Sequence, residues 1–129
     1  MSPAPLHWRR LGLCEYRPTW QAMRDFTDAR GPDSPDQIWT LQHPPVFTLG
    51  QAGRPEHLLD PGTIPVVKSD RGGQVTYHGP GQLIAYLLYD LKRGRRGIKN
   101  LVQRLEQAVI ALLAGLEIEA ELKPGAPGV

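Results

Sequence analysis

A run of thirteen residues, 71–83, constrains the fold of this chain more than any other segment. It contains four glycines, a proline, a cation and a histidine in the order Arg-Gly-Gly-Gln-Val-Thr-Tyr-His-Gly-Pro-Gly-Gln-Leu. Gly72 and Gly73 lack a β-carbon, so the main chain there can take positive φ angles or let another group approach closely. The β-branched and aromatic residues that follow favour a strand, and residues 79–81 form the turn that ends it. The run predicts either the wall of a pocket, with His78 at the end of a strand, or a plain hairpin.

Length and composition place the chain among ordinary globular proteins. At 129 residues it fits a single domain spanning residues 1–129, and its 40% hydrophobic and 22% charged content is typical of that class. The longest apolar run, residues 83–89, is too short to cross a bilayer, and residues 1–5 lack the pattern of a signal peptide. The single cysteine, Cys14, cannot form an internal disulfide. We therefore expect a cytoplasmic protein without a membrane partner.

Positive charge is concentrated in one short loop, although the formal net charge is only +2. Such a cluster attracts phosphates, nucleic acid or an acidic protein, or it is simply a solvated loop. The loop has no interleaved aromatic residues, which argues against a platform for single-stranded nucleic acid. The cluster consists of Lys92, Arg93, Arg95, Arg96 and Lys99.

Hydrophobic patterning predicts a sandwich of helices and a mostly antiparallel or mixed sheet, an α/β (α+β) fold. A first helix is expected to begin at an N-cap, Thr19, and to run to about Arg30. Residues 82–91 are nearly continuously apolar, which predicts a central strand. Other strands are expected over residues 7–13, 38–41, 46–50, 64–68, 75–78 and 118–122, with one helical turn within residues 54–59.

The clearest helical periodicity lies in residues 98–116. One apolar stripe runs along this segment, which predicts a helix whose stripe is buried against the sheet. The stripe consists of Leu101, Leu105, Ala108, Leu112 and Leu116.

Residues 71–82 resemble the signature of the lipoyl(octanoyl) transferases, the LipB family. Residues 43–53, His-Pro-Pro-Val-Phe-Thr-Leu-Gly-Gln-Ala-Gly, are similar to a second family segment. Residues 91–93, 105–107 and 126–129 resemble further elements, so the likeness extends from about Leu11 to Val129.

The resemblance implies the fold of the biotin and lipoate protein ligase catalytic domains. It also implies transfer of an octanoyl group from octanoyl-acyl carrier protein to a lysine of a lipoyl domain. Acceptors would be the lipoyl domains of 2-oxoacid dehydrogenases and the glycine cleavage H protein. The family works through a cysteine acyl-thioester, with a lysine nearby that favours the thiolate. The donor thioester already stores the energy, so neither ATP nor a metal cofactor is expected.

The resemblance also implies which residues form the site. In the family the lysine follows the Ala-Pro-Gly-Val element and the cysteine lies further on, so neither catalytic residue is expected within residues 1–129. We expect a C-terminally incomplete domain that is inactive alone, and that is poorly stable or associates. Cys14 falls outside every family segment and is expected to be an incidental thiol. The substrate-binding run maps onto Arg71, Gly72, Gly73, Gln74, Val75, Thr76, Tyr77 and His78.

Individual roles within this run stay open at the level of sequence. Arg71 anchors a phosphate or carboxylate, or pairs with Asp70 or Asp90. His78 polarises the thioester carbonyl or fixes the turn that follows it. Because Tyr77 and His78 alternate along a strand, we expect one to face the pocket and the other the core. The paired glycines are expected to admit the acyl chain against bare main chain.

Other classes of function remain in competition. An ATP-dependent lipoate or biotin ligase would need a longer adenylate loop and a second cation near Arg71. A non-catalytic acyl-binding module would suit a chain without a nucleophile. Metal binding is not favoured, because the remaining histidines show no ligand spacing with one another or with the cysteine. These histidines are His7, His43 and His57.

Overall fold

The computed structural model of the chain describes residues 6–126 and 128–129, and for His57 the main chain only. The strands β1–β6 in this part of the chain cover Leu6–Leu13, Asp36–Gln42, Val46–Leu49, Val66–Lys68, Val75–His78 and Ile84–Leu88. The helices are α1, Tyr16–Ala29, and α2, Ile98–Gly115, and the expected single helical turn is Pro55–His57. The expectation of no signal peptide falls on residues 1–5, which lie outside the described residues, as does Pro127 of the last resembling element.

The predicted mixed α+β class is confirmed, but the strands form two small sheets. In the first the strand order is β1-β2-β6, with β1 and β2 parallel and β2 and β6 antiparallel. In the second the order is β4-β3-β5, again with one parallel and one antiparallel pairing. Residues 43–45, His-Pro-Pro, connect the first sheet to the second. Proline has no N–H to donate to a neighbouring strand, so the two prolines end the pairing of the first sheet at this bend.

Both sheets and α1 belong to a compact unit, Met1–Tyr89. One apolar cluster contains Trp39, Leu41 and Leu88, against which Met23 and Phe26 of α1 pack. A second joins Tyr16 and Trp20 of the same helix to Val46 and Val67 of the second sheet. Helix α1 therefore contributes to the core of each sheet.

The predicted N-cap of α1 is wrong. The helix begins at Tyr16 with Glu15 as its N-cap, and Thr19 is a buried residue inside the first turn, with its hydroxyl donating to the Glu15 carbonyl at 2.7 Å. Pro18 misled the prediction because proline commonly marks a helix start. Here it occupies the third helical position, where its missing N–H would have had no intrahelical partner.

Two strand predictions also need correction. Strand β6 is shorter than expected and lies at an edge of its sheet among the described strands, while β2 is central. A continuous run of apolar residues indicates that both faces of a strand are buried, but it does not indicate whether the strand has a pairing partner on each edge. Residues 118–122 form no strand in the described chain, since an alternating pattern becomes a strand only where another strand pairs with it.

The unit Asp90–Val129 contains the basic loop and α2. The predicted helix is confirmed within one residue of its end, but the expected burial of its stripe is not found within this unit. No residue of α2 is buried, and the exposed fractions of Leu105 and Leu112 reach 48% and 64%. The periodicity correctly identified an apolar face, but within its unit this face remains open to solvent.

None of the helices in the described part of the chain is long and apolar enough to cross a membrane.

Candidate functional site

A cavity of about 410 Å³ opens in the first unit beside α1. Trp20, Met23 and Thr27 of the helix line one side of it, and Arg71, His78 and Tyr86 line another. The volume lies in the range of small-molecule sites, and the lining combines apolar surface with a few polar groups. Arg71 and His78 are thus the two residues of the predicted binding run that line this cavity.

Arg71 is held by the strand next to it and forms no ion pair with Asp70. Its Nε and Nη2 atoms donate to the Thr48 hydroxyl oxygen at 3.2 Å and 2.7 Å, and Nη2 also donates to the Thr48 carbonyl at 2.9 Å. Further bonds reach the carbonyls of Gly72 and Gln74, each at 2.8 Å. Pairing with Asp70, one of the roles left open for Arg71, is therefore wrong.

Asp70 instead binds residues of α1 at the rim of the cavity. Its carboxylate accepts from Arg24 at 3.2 Å and from the indole of Trp20 at 3.0 Å. Both partners in the ion pair are about half exposed, so solvent screens the interaction strongly. The rim is consequently polar, with a cation and a carboxylate side by side.

A glycine on the neighbouring segment allows two stretches of main chain to pack closely. Gly50 is buried, and a β-carbon on it would overlap the carbonyl oxygen of Gly73. The amides of Gln51 and Ala52 donate to the carbonyls of Arg71 and Gly73 at 2.8 Å and 3.0 Å. Gly73 itself has a φ angle of +88°, a conformation that favours glycine.

The remaining members of the binding run are not among the residues that line the cavity. Gly72, Gly73 and Gln74 are exposed in the loop before β5. Val75 and Thr76 pair with Leu49 and Thr48 in the sheet. Tyr77 packs its ring on Phe47 at a centroid distance of 5.4 Å but is 42% exposed, so the expectation that it belongs to the core is wrong.

His78 lies in a small aromatic and imidazole cluster. Its ring stacks on Tyr16 with a centroid distance of 6.1 Å and lies 5.8 Å from the ring of His43. Its Nε2 atom is 3.3 Å from the Thr48 hydroxyl, so β5 and β3 are joined through this pair. Burial, then the charges of His43 and Arg71, lower the pKa of His78 below its ordinary value of 6.5.

His43 is a site residue that the sequence did not reveal as such. It is fully buried, its Nδ1 is 2.6 Å from the Cys14 carbonyl, and its Nε2 is 2.8 Å from the Tyr86 hydroxyl. Burial lowers the pKa of His43 despite the opposing effect of the hydrogen bond to Cys14, and burial raises the pKa of Tyr86 well above its ordinary value. Its position before two prolines was the available signal, but nothing in the sequence pointed to Tyr86.

Cys14 is placed as an incidental thiol would be. It is half-buried, belongs to the apolar cluster around Trp39, and its thiol donates to the Leu11 carbonyl at 3.1 Å. Its main-chain carbonyl, not its sulfur, contributes to the site through His43.

The match to a family model gives the class of protein. The chain belongs to the family of the lipoyl protein ligase A/B catalytic domain, whose family model matches residues 15–129. The resemblance seen in the sequence is thereby confirmed.

Similar curated proteins are octanoyltransferases. That of Alkalilimnicola ehrlichii is 61% identical over 132 residues, covering 100% of this chain and 61% of its own length. That of Stutzerimonas stutzeri is 64% identical over 94% of this chain and 55% of its own length, and that of Aromatoleum aromaticum is 65% identical over 94% and 52%. The chain therefore spans little more than half the length of these relatives.

Solved structures support the fold independently. A T. acidophilum protein proposed to be a lipoate protein ligase superposes with a TM-score of 0.68 at 17% identity, over 95% of this chain and 55% of that one. The same protein with bound lipoic acid gives a TM-score of 0.61. At this identity the likeness establishes the fold alone.

Proposed function

We propose that this chain forms the acyl-binding part of an octanoyltransferase. In the proposed reaction an octanoyl group moves from octanoyl-acyl carrier protein, through a cysteine thioester, to a lysine of a lipoyl domain. The observation that carries the proposal is the cavity lined by Arg71 and His78, two residues of the signature run. The names of the similar proteins, which are octanoyltransferases, support the proposal that the acyl group is octanoyl.

The eight residues 71–78 would have different roles in this site. Arg71 and His78 line the cavity and would contact the acyl end of the ligand. Gly72 and Gly73, with their hydrogen-bonded neighbours in residues 50–52, would fix the loop that carries Arg71. Gln74–Tyr77 would hold this loop on the sheet through the pairing of β5 with β3.

We further propose that Cys14 is not the acyl-carrying thiol. A nucleophilic thiolate needs an electropositive, accessible setting next to the substrate, whereas the Cys14 thiol donates to a main-chain carbonyl within an apolar cluster. Since Cys14 is the single cysteine of residues 1–129, this chain is expected to bind the acyl group without transferring it.

Incubation with octanoyl-acyl carrier protein, followed by mass spectrometry, tests this assignment. We expect no covalent octanoyl adduct on the wild-type chain or on Cys14→Ser, and saturable binding of octanoyl-pantetheine by both. An adduct that disappears in Cys14→Ser would identify Cys14 as the nucleophile and overturn this part of the proposal. Formation of octanoyl-adenylate from octanoate and ATP would favour a ligase instead.

The basic loop is proposed to attract the carrier protein, which is acidic. Lys92, Arg95 and Lys99 are exposed, and the Arg96 guanidinium is oriented by a 2.9 Å bond to Asn100. A single-sign cluster raises the rate of encounter with an oppositely charged partner, and salt weakens this effect. Charge reversal at Lys92 and Arg95 should slow association at low salt. A rate that does not change with salt or with these substitutions would argue against the proposal.

A further inference from the structure

We propose that Arg71, besides lining the cavity, has a second role as a positioning residue: it sets the tautomer of His78 through Thr48, so that the cavity accepts a neutral acyl carbonyl in preference to a free carboxylate. This inference rests on the proposed function for the identity of the acyl chain. The assignment of the tautomer itself depends only on the hydrogen bonds that join the Thr48 hydroxyl to Arg71 and to His78.

The Thr48 hydroxyl has only one way to satisfy its neighbours. A hydroxyl oxygen has two lone pairs and one hydrogen. Arg71 carries no acceptor, and its Nε and Nη2 atoms lie 3.2 Å and 2.7 Å from this oxygen, so both lone pairs accept from the guanidinium. The hydroxyl hydrogen is left for the third neighbour, His78 Nε2, at 3.3 Å.

The consequence for His78 is a fixed tautomer. A nitrogen that accepts a hydrogen bond carries no proton, so neutral His78 has its proton on Nδ1. Nδ1 has no hydrogen-bond partner among the described residues, while the side chain lines the cavity. His78 therefore offers one N–H donor to a ligand.

The second imidazole is oriented in a complementary way. The Cys14 carbonyl can only accept, so His43 carries its proton on Nδ1, and its Nε2 accepts from the Tyr86 hydroxyl at 2.8 Å. The hydrogen of Tyr86 is thereby committed to His43. What Tyr86 offers to the cavity that it lines is a lone pair.

The charged side chains that line the cavity are two cations and two carboxylates, so their charges balance and give a carboxylate no net attraction. The donor of His78 and the acceptor of Tyr86 then suit an uncharged acyl derivative. The carbonyl oxygen of a thioester or amide accepts from His78, and an N–H of the donor arm or of an incoming amine can donate to Tyr86. A carboxylate has two acceptor oxygens, so one of them would meet the Tyr86 lone pair without a proton between them. An oxygen-to-oxygen contact of this kind, with no hydrogen bond made, should cost about a tenfold loss of affinity.

Two ligands of nearly equal shape test the preference. We expect calorimetry at pH 7.5 to show octanamide binding about tenfold tighter than octanoate. In Thr48→Val, which keeps the shape and removes the hydroxyl, this preference should shrink. Thr40→Val is the matched control, because Thr40 lies on β2 with its hydroxyl bonded to Trp8 and is not among the residues that line the cavity.

A spectroscopic reading separates tautomer from packing. Long-range proton–nitrogen correlation spectra should show Nδ1–H tautomers for both His43 and His78 in the wild type. Thr48→Val should change the tautomer balance of His78 and leave His43 unchanged, which also shows that the variant is folded. An Nε2–H tautomer of wild-type His78, or equal affinities for octanamide and octanoate, would overturn the proposal. If neither octanoyl compound binds while the tautomers are as expected, the proposed function fails and the hydrogen-bond assignment stands.

Discussion

Gly50 packs so tightly on Gly73 that a β-carbon at position 50 would overlap the carbonyl oxygen of Gly73. This contact joins the turn after β3 to the loop that carries Arg71. Hydrogen bonds from Gly50 to Gln74 at 3.0 Å and from Gln51 to Arg71 at 2.8 Å reinforce it. It is thus Gly50, which lies outside the signature run, that permits this close approach of main chain to main chain.

The first prediction is that Gly50→Ala lowers the free energy of unfolding by about 2–3 kcal/mol, because backbone atoms cannot move aside as a flexible side chain can. Gly72→Ala is the control: a β-carbon there meets nothing within 4 Å and the φ angle is not positive. We expect this variant to stay within about 0.5 kcal/mol of the wild type. Equal stabilities of the two variants in urea titrations would contradict the packing.

The second prediction compares two ion pairs of different burial. Arg30 and Asp36 are 2.8 Å apart with side-chain exposures of 13% and 12%, whereas Arg24 and Asp70 are 49% and 57% exposed. Removing one partner of a buried pair leaves a charge without compensation, so Asp36→Asn should cost about 2–4 kcal/mol of unfolding free energy.

Asp70→Asn provides the comparison, since it breaks an exposed pair by the same change of side chain. We expect it to cost less than about 1 kcal/mol. If chemical denaturation gave the two variants the same loss, the difference in burial would not control these ion pairs.

The third prediction concerns the apolar face of α2. Side chains such as Leu105 and Leu112 are exposed, and a contiguous apolar face in water promotes association. We expect the sedimentation of the chain to depend on concentration. The double variant Leu105→Lys and Leu112→Lys should reduce this dependence, while Lys99→Arg, also on α2 and exposed, should not. A wild-type chain that sediments as a monomer at all concentrations would contradict the prediction.

How much of this fold could be predicted from the sequence depended on the range of the interactions that determine each element. Local signals placed α2, β5 and the turn at Pro55–His57 correctly, since periodicity and turn residues act over a few positions. The edge position of β6 and the absence of a strand at residues 118–122 depend on which segments pair. No local pattern contains that information.

The candidate site shows the same division. The signature run predicted that Arg71 and His78 belong together, and both line the cavity. Sequence did not predict Thr48, which lies on β3 and binds both of them. It also missed His43 and Tyr86, which are 43 positions apart and meet only because β2 and β6 are neighbours.

The fourth prediction follows from the lowered pKa of His43. In the unfolded chain this imidazole protonates near pH 6.5, while burial holds its folded pKa lower. At pH values between these two pKa values the unfolded chain binds more protons than the folded chain. The contribution of neutral His43 to the free energy of unfolding is therefore complete above pH 6.5, and it declines as the pH falls toward the folded pKa. The slope approaches about 1.4 kcal/mol per pH unit for each excluded proton.

Urea titrations between pH 7.5 and 5 in wild type and His43→Gln measure this slope, which the variant should reduce by the contribution of one proton. His7→Gln, which removes an exposed imidazole on β1, is the control. A wild-type stability that rises on acidification through this window would reverse the sign and refute the argument.

The last prediction concerns the hydroxyl that joins β6 to the buried imidazole. Tyr86→Phe leaves His43 Nε2 without its donor in a fully buried position, so the free energy of unfolding should fall by about 1–3 kcal/mol. Tyr77→Phe removes a hydroxyl from a side chain that is 42% exposed and should change stability by less than about 0.5 kcal/mol. Because the same substitution removes the acceptor that we propose for the ligand, Tyr86→Phe should also diminish the preference for octanamide over octanoate. A variant that lost stability but kept the full preference would show that Tyr86 supports His43 without contacting the ligand.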